Sequence, residues 1–254
     1  MIRTSLFIKS WREDIRWLRY CLRFLEKNWR EHSDVVIALD PDCREAIDTD
    51  DYDLDLRRVT VEPWPDGYSH AMFVKACADK YCQGEAIILL DSDTMLLEPT
   101  DAGYFFDELP IIPWILYAEH QTMYPHSPWQ KVTEKVMQVR TDRHFMPCMP
   151  ILYWVSTFSG LRHYVVGKHK AKIFEEVIFS DVPFDPANFA EHPISFCDYD
   201  CLGLYASIYE PEKYVFRHAE QLKPNPFKQF HSWSEWNDET PRILEHCLNE
   251  AVTV

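Results

Sequence analysis

The chain has 254 residues, of which 46% are hydrophobic and 15% aromatic, so it is long enough to bury one large core. Its formal net charge of −15 argues against a general nucleic-acid coat, because binding to phosphate backbones relies on lysine and arginine. No apolar run approaches the roughly 20 residues that a membrane-spanning helix needs, and the N-terminus becomes polar too soon for a signal peptide. We therefore expect a cytoplasmic protein.

The eight cysteines include no Cys-x-x-Cys pair, so neither a zinc ribbon nor a thioredoxin motif is indicated. In the cytosol we expect them to be reduced, mostly structural thiols.

Strands and helices alternate in the first 90 residues, where short apolar runs are separated by segments with helical spacing of apolar residues. The predicted strands are 4–9, 35–39, 59–61 and 86–90, with helices that begin at Trp11 and Ser69. This alternation predicts a mostly parallel sheet with right-handed crossovers.

The second half has a less regular pattern. We predict helices near 128–140, over 168–179 and from about 195, strands over 151–158 and 214–216, and loops over 99–113 and 183–193. Because the sequence has no internal repeat, low-complexity tract or clear linker, one compact unit is the simplest interpretation.

The strand 86–90 runs directly into Asp91-Ser92-Asp93. In open α/β sheets, ligands bind beyond the carboxyl ends of the strands, so both carboxylates are expected at a ligand site. An Asp-x-Asp turn places two hard oxygen ligands on one side of a loop, which suits Mg²⁺ or Mn²⁺ bridging a diphosphate. The alternative is a solvated turn at the end of a strand.

Two later segments extend this pattern: the acidic, aromatic helix start Phe196-Cys197-Asp198-Tyr199-Asp200-Cys201-Leu202-Gly203 and the motif Phe230-His231-Ser232-Trp233. With Asp91-Ser92-Asp93, and Lys75 one helix and one strand before it, the chain resembles GT-A glycosyltransferases. These are metal-dependent enzymes that use a nucleotide-sugar donor, and the likeness is greatest to glycogenin-like and related bacterial and phage families.

The resemblance implies an α/β fold of GT-A type, with a Rossmann-like, mostly parallel central sheet flanked by helices and an irregular acceptor-side half. It implies one domain over 1–254. Residues 1–95 would bind the nucleotide-sugar, and residues 96–254 would form the acceptor side with a C-terminal metal-site segment.

It also implies a Mn²⁺ or Mg²⁺ ion held by Asp91, Asp93 and His231, which neutralises the departing nucleoside diphosphate as a Lewis acid. UDP is the expected nucleotide because it is frequent in these families. Lys75 would add a second cation near the phosphates, or be a surface lysine with its stem on apolar neighbours. The alternative for His231 is a hydrogen-bonded core histidine.

Asp198 and Asp200 are the predicted catalytic carboxylates on the acceptor side. In an inverting reaction one would remove the acceptor hydroxyl proton, and in a retaining reaction one would steady the oxocarbenium-like centre. The alternative is an acidic N-cap cluster. The remaining predicted donor-binding residues are Thr4, Lys9, Asp14, Asp40, Tyr68, His70, Ser92 and Trp233, with Asp40, Tyr68 and His70 expected near the base or ribose.

The segment 131–172 is basic, with eight lysines and arginines against two acidic residues, while the remainder of the chain is strongly acidic. Aromatic residues interleave with these cations at Phe145, Tyr153, Trp154, Phe158 and Tyr164. This composition predicts an acidic acceptor, DNA with a flipped or single-stranded base included. The alternative is a solvated helix face above core aromatics.

Three other functions fit parts of the pattern. A phosphohydrolase of the HAD type would use Asp91 as a nucleophile, but the paired-aspartate motif that it needs downstream is missing. A nucleotidyltransferase would need a glycine-rich N-terminal signature, and the chain has only 6 glycines. A non-catalytic nucleotide-binding module remains the third alternative.

Overall fold

The computed structural model describes residues 2–62, 67–107, 112–120, 129–147, 149–179, 196–221, 224–230, 237 and 239–250, with the side chains of 67, 68 and 250 left out. It confirms the predicted α/β class, because a mostly parallel central sheet carries helices on its faces.

Ten strands form three sheets in the described part of the chain. Their bounds are β1 Thr4–Ser10, β2 Asp34–Leu39, β3 Leu56–Thr60, β4 Ala86–Asp91, β5 Thr94–Leu96, β6 Trp114–Glu119, β7 Arg143–His144, β8 Ile151–Trp154, β9 Val215–His218 and β10 Phe227–Gln229. The central sheet has the order β3-β2-β1-β4-β8, with β8 antiparallel to β4 and the other neighbours parallel. Strand β10 pairs with β5, and β6 lies between β7 and β9.

Helices cover both faces of the central sheet. Their bounds are α1 Ile15–Asn28, α2 Gly67–Lys75, α3 Trp129–Met137, α4 Val155–His169, α5 Phe174–Ile178, α6 Asp198–Tyr209 and α7 Thr240–Glu250. None of these described helices has the length and apolar composition that crossing a bilayer requires.

Alternate residues of the central strands belong to two separate hydrophobic cores, one on each face of the sheet. Leu6 and Ile88 belong to the core beneath α1, whereas Phe7 and Ile87 belong to the core beneath α4 and α6. Strands that are buried on both faces are rich in consecutive apolar residues, which is why β2, β4 and the Leu6–Ile8 centre of β1 can be predicted from the sequence.

The predicted strand 151–158 is wrong beyond residue 154, where α4 begins. Four residues of α4 at helical spacing are buried: Thr157, Phe158, Leu161 and Val165. The predicted helix 168–179 is wrong as one continuous helix. Lys170 adopts a left-handed conformation (φ 53°) that ends α4, and the separate helix α5 forms within the predicted range.

The chain order of the central sheet reverses beside β1. Strands β2 and β3 extend the sheet on one side of β1, and β4 returns to pair on the other side. In such sheets the crevice beyond the carboxyl ends, at the point of reversal, is the usual place for a ligand. Here Lys9 of β1 and Asp91 of β4 are register partners at that point.

Candidate functional site

The candidate site lies at the carboxyl ends of β1 and β4, around the ammonium group of Lys75 at the end of α2. The Nζ atom of Lys75 is 3.0 Å from Asp91 Oδ1 and 3.2 Å from Asp198 Oδ2. It also lies 4.4 Å from the centroid of the Tyr199 ring, in a cation–π contact. Burial by itself lowers the pKa of Lys75, but the carboxylates of Asp198 and Asp91 outweigh burial and hold that pKa well above its ordinary value. Lys75 therefore carries its charge in a buried position.

Asp198, in the first turn of α6, is almost completely buried, with 1% of its surface exposed. Burial raises the pKa of Asp198 to about 6, with Lys75 acting against the shift and Asp91 adding to it. Lys75 thus joins a carboxylate from β4 to a carboxylate from α6.

A single amide bridges the two carboxylates of the Asp-x-Asp turn. Gln229 Nε2 donates to Asp91 Oδ2 at 3.2 Å and to Asp93 Oδ1 at 3.4 Å. The pairing of β10 with β5 positions Gln229, and Phe230 N donates to the carbonyl oxygen of Asp93 at 2.8 Å. The carboxylates of Asp91 and Asp93 therefore share one electropositive partner, the amide of Gln229. Two hard oxygen donors in this arrangement would also suit a divalent cation at the position of that amide.

A second group joins three of the predicted donor-binding residues beyond β1 and β2. Lys9 Nζ lies 2.8 Å from Asp40 Oδ1 and also donates to the carbonyl oxygen of Ser10. His70 Nδ1 is 3.8 Å from the same Asp40 oxygen. Burial lowers the pKa of Lys9, and Asp40 acts against that shift. Both basic side chains are buried and face a carboxylate that stays partly exposed.

The remaining predicted donor-binding residues lie elsewhere or outside the described part of the chain, except Ser92. Thr4 lies at the opposite end of β1, where its hydroxyl bonds Ser33 Oγ and Glu31 Oε1. Asp14 accepts a hydrogen bond from Trp11 Nε1 at 2.8 Å, in the turn after β1, and Ser92 is buried within the Asp-x-Asp turn. His231, Trp233 and the side chain of Tyr68 lie outside the described residues.

The structure separates the two predicted catalytic carboxylates. Asp200 faces away from Lys75 and lies with two histidines, His120 and His144. All three residues are buried, and one donor atom from each lies within 4.8 Å of the others, so the group could bind a metal ion. Burial lowers the pKa of His120, with Asp200 acting against the shift and His144 adding to it.

Gln229, His120 and His144 were not found by sequence reasoning. Gln229 is 136 positions from Asp93, and His144 is 56 positions from Asp200, so no local motif joins them. The only sequence signal was the position of Gln229 two residues before the predicted ligand His231.

The basic segment 131–172 is split by the fold into surface cations and core aromatics. Lys131, Lys135, Arg140 and Arg143 are exposed on and after α3, as an acidic partner would require. Three of its aromatics are fully buried and cannot stack on a partner: Phe145, Tyr153 and Phe158.

The seven cysteines in the described part of the chain are free thiols. Comparison of the sequence with models of protein families and with curated proteins finds no match.

Proposed function

We propose that the chain is a metal-dependent glycosyltransferase of GT-A type, which transfers a sugar from a nucleotide-sugar, a UDP-sugar in particular, to an acceptor hydroxyl. One observation carries the proposal. Asp91 and Asp93 share the amide of Gln229, and Asp91 bonds Lys75, at the reversal point of a parallel sheet. This is where an α/β sheet binds its ligands.

The chemistry needs positive charge near the departing diphosphate. A divalent ion held by Asp91 and Asp93, with His231 as the predicted third ligand, would supply Lewis acidity there. The bridging amide of Gln229 supports this ligand set, because it already serves as the electropositive partner of both carboxylates. Lys75 keeps its charge in the same place, and its contact with Asp198 supports a role for Asp198 in positioning it.

Nucleoside recognition is proposed for the group around Asp40. Its carboxylate is the one partly exposed member of that group and can accept from a ribose hydroxyl or from the N–H of a uracil ring. Lys9 and His70 hold the carboxylate in position. The catalytic roles of Asp198 and Asp200 and the acidic acceptor for segment 131–172 remain predictions.

The test is nucleotide binding with and without Mn²⁺, measured by thermal shift and by hydrolysis of UDP-sugars in the absence of an acceptor. At a ligand concentration of about 100 times Kd, we expect UDP with Mn²⁺ to stabilise the fold by about 2.7 kcal/mol. Asp91→Asn and Asp93→Asn are expected to lose the Mn²⁺-dependent part of the shift. Asp53→Asn, which removes an exposed carboxylate elsewhere, is the matched control and should behave as wild type.

Two results would contradict the proposal. Turnover of p-nitrophenyl phosphate that disappears in Asp91→Asn would favour a phosphohydrolase. The absence of any shift with a panel of nucleotides and nucleotide-sugars, with or without Mn²⁺, would favour a chain that does not bind nucleotides.

A further inference from the structure

Three metal-ligand side chains converge at a place away from the Asp91 group. His120 directly follows β6, His144 lies in β7, and Asp200 lies in the first turn of α6. At most 2% of the surface of each residue is exposed. Two imidazoles and a carboxylate thus meet in the protein interior, from three separate elements.

Both histidines lie at distances from Asp200 close to those between ligand atoms of one small cation, and one donor atom from each of the three residues lies within 4.8 Å of the others. His144 Nδ1 lies 3.1 Å from the Asp200 carboxylate oxygens, and His120 Nε2 lies 3.6 Å from Asp200 Oδ2. Ligand atoms at 2.0–2.1 Å from a tetrahedral zinc ion are separated by about 3.3 Å. Asp200 Oδ1 accepts a hydrogen bond from Phe145 N, which fixes the carboxylate and leaves Oδ2 directed toward both rings.

His120 supplies the second, independent observation. Within the described residues, neither of its ring nitrogens has a hydrogen-bond partner, although the side chain is buried. Burying an imidazole without a hydrogen bond destabilises a fold, and native structures rarely keep such a group without a ligand. A structural His144–Asp200 hydrogen bond alone would leave His120 unexplained.

We propose that His120, His144 and Asp200 bind one first-row transition-metal ion, Zn²⁺ in particular. Imidazole nitrogens with a single carboxylate favour such ions, whereas Mg²⁺ prefers an all-oxygen environment. Three ligands leave one tetrahedral position, which water or a further side chain fills. Because the group is buried, the ion ties β6, β7 and α6 together, and no organic substrate needs to reach it.

This proposal does not rest on the proposed glycosyltransferase activity. The Asp91 group offers carboxylates to a hard cation, and the histidine group offers nitrogen to a softer one. Either site can be present without the other.

The first experiment measures the metal content of the full chain after purification from zinc-supplemented culture and extensive dialysis. We expect about one zinc ion per chain, as a single three-ligand site requires. His120→Gln should lose the zinc ion. Removing a residue that only orients a metal ligand lowers metal affinity roughly 10–100-fold, and we expect a larger fall here because His120 is itself a ligand. His163→Gln, a substitution of an exposed histidine on α4, and Asp91→Asn should both retain the ion.

A second experiment uses wild-type protein and so does not depend on the folding of any variant. The chain is stripped with chelator and titrated with Co²⁺, whose visible spectrum distinguishes four-coordinate nitrogen and oxygen ligation from the hexaaquo ion. We expect four-coordinate bands that saturate at one equivalent and disappear on addition of Zn²⁺. Zinc-free dialysed protein together with a purely hexaaquo spectrum would overturn the proposal, as would zinc retained equally by wild type and His120→Gln.

Discussion

Replacing Lys75 with methionine is expected to destabilise the fold, chiefly because the buried carboxylate of Asp198 loses its cationic partner. Lys75 is the cationic group that the described residues place in contact with the Asp198 carboxylate. Asp91, the other partner, has a side chain that is 25% exposed and keeps hydrogen bonds from Tyr199 and Gln229. Asp198 has no comparable access to solvent, since 1% of its surface is exposed.

The magnitude follows from this difference in burial. Breaking a buried ion pair by removing one partner costs about 3–5 kcal/mol, because the remaining carboxyl must either keep an uncompensated charge in the interior or take up a proton on folding. The Lys75–Asp91 contact adds little, since a pair with a partly exposed partner is worth about 0–1 kcal/mol. For a chain of this size, the melting temperature should fall by roughly 6–20 °C.

The double variant Lys75→Met/Asp198→Asn distinguishes the effect of the unpaired Asp198 carboxyl on stability from the effect of the packing lost with the lysine side chain. A neutral amide in place of the carboxylate removes the buried charge, so we expect the double variant to recover about 2 kcal/mol or more. Lys80→Met, which changes an exposed lysine nearby, should stay within about 0.5 kcal/mol of wild type. Urea denaturation measures all four free energies of unfolding. The reasoning is refuted if Lys75→Met loses less than about 1 kcal/mol, or if adding Asp198→Asn lowers stability further.

Two further predictions concern the core and one thiol. Gly203→Ala should destabilise the fold by about 1–3 kcal/mol because its methyl group would overlap the Phe145 ring. The added methyl group of Gly167→Ala meets nothing within 4 Å, so this variant should stabilise α4 by up to about 1 kcal/mol. Equal urea midpoints for the two variants would contradict this. Burial raises the pKa of Cys43 to about 11, so at pH 8 only about one thiol in a thousand is ionised, against about one in four for an unfolded thiol. Labelling of Cys43 by a disulfide reagent, followed by peptide mass spectrometry, should therefore be slow in the native chain and fast in urea. Because the folded pKa is the higher one, the stability linked to this thiol is present below pH of about 8.5 and lost as the pH rises toward 11.

The parts of the fold that could be predicted from sequence are those in which one local pattern determines the structure. Strands β2 and β4 are buried on both faces and contain unbroken runs of five apolar residues, while β1 has a shorter run of three, Leu6–Ile8. Asp91 follows from the same logic, because it comes directly after the predicted strand 86–90, whereas the role of Lys75 is predicted only through the resemblance to GT-A glycosyltransferases. Helix α4 was missed because its buried residues are few and its sequence is rich in β-branched residues and glycine, so the segment after β8 looks like more strand.

The parts of the site that could not be predicted depend on distant pairings. Gln229 reaches Asp91 and Asp93 because a three-residue strand, β10, pairs with β5, and such a short strand has no periodicity to detect. The meeting of His144 with Asp200 likewise depends on how α6 packs beside a two-residue strand. Local patterns in the sequence contain no information on either pairing.

The first turn of α6 has three consecutive residues whose partners lie on two sides of the helix. Asp198 contacts Lys75, Tyr199 donates to Asp91, and Asp200 bonds His144. Asp198 and Asp200 point about 200° apart around the helix axis. Turning α6 about its axis in either sense would break contacts on both sides, so the end of β4, α6 and β7 are expected to shift only as one rigid body.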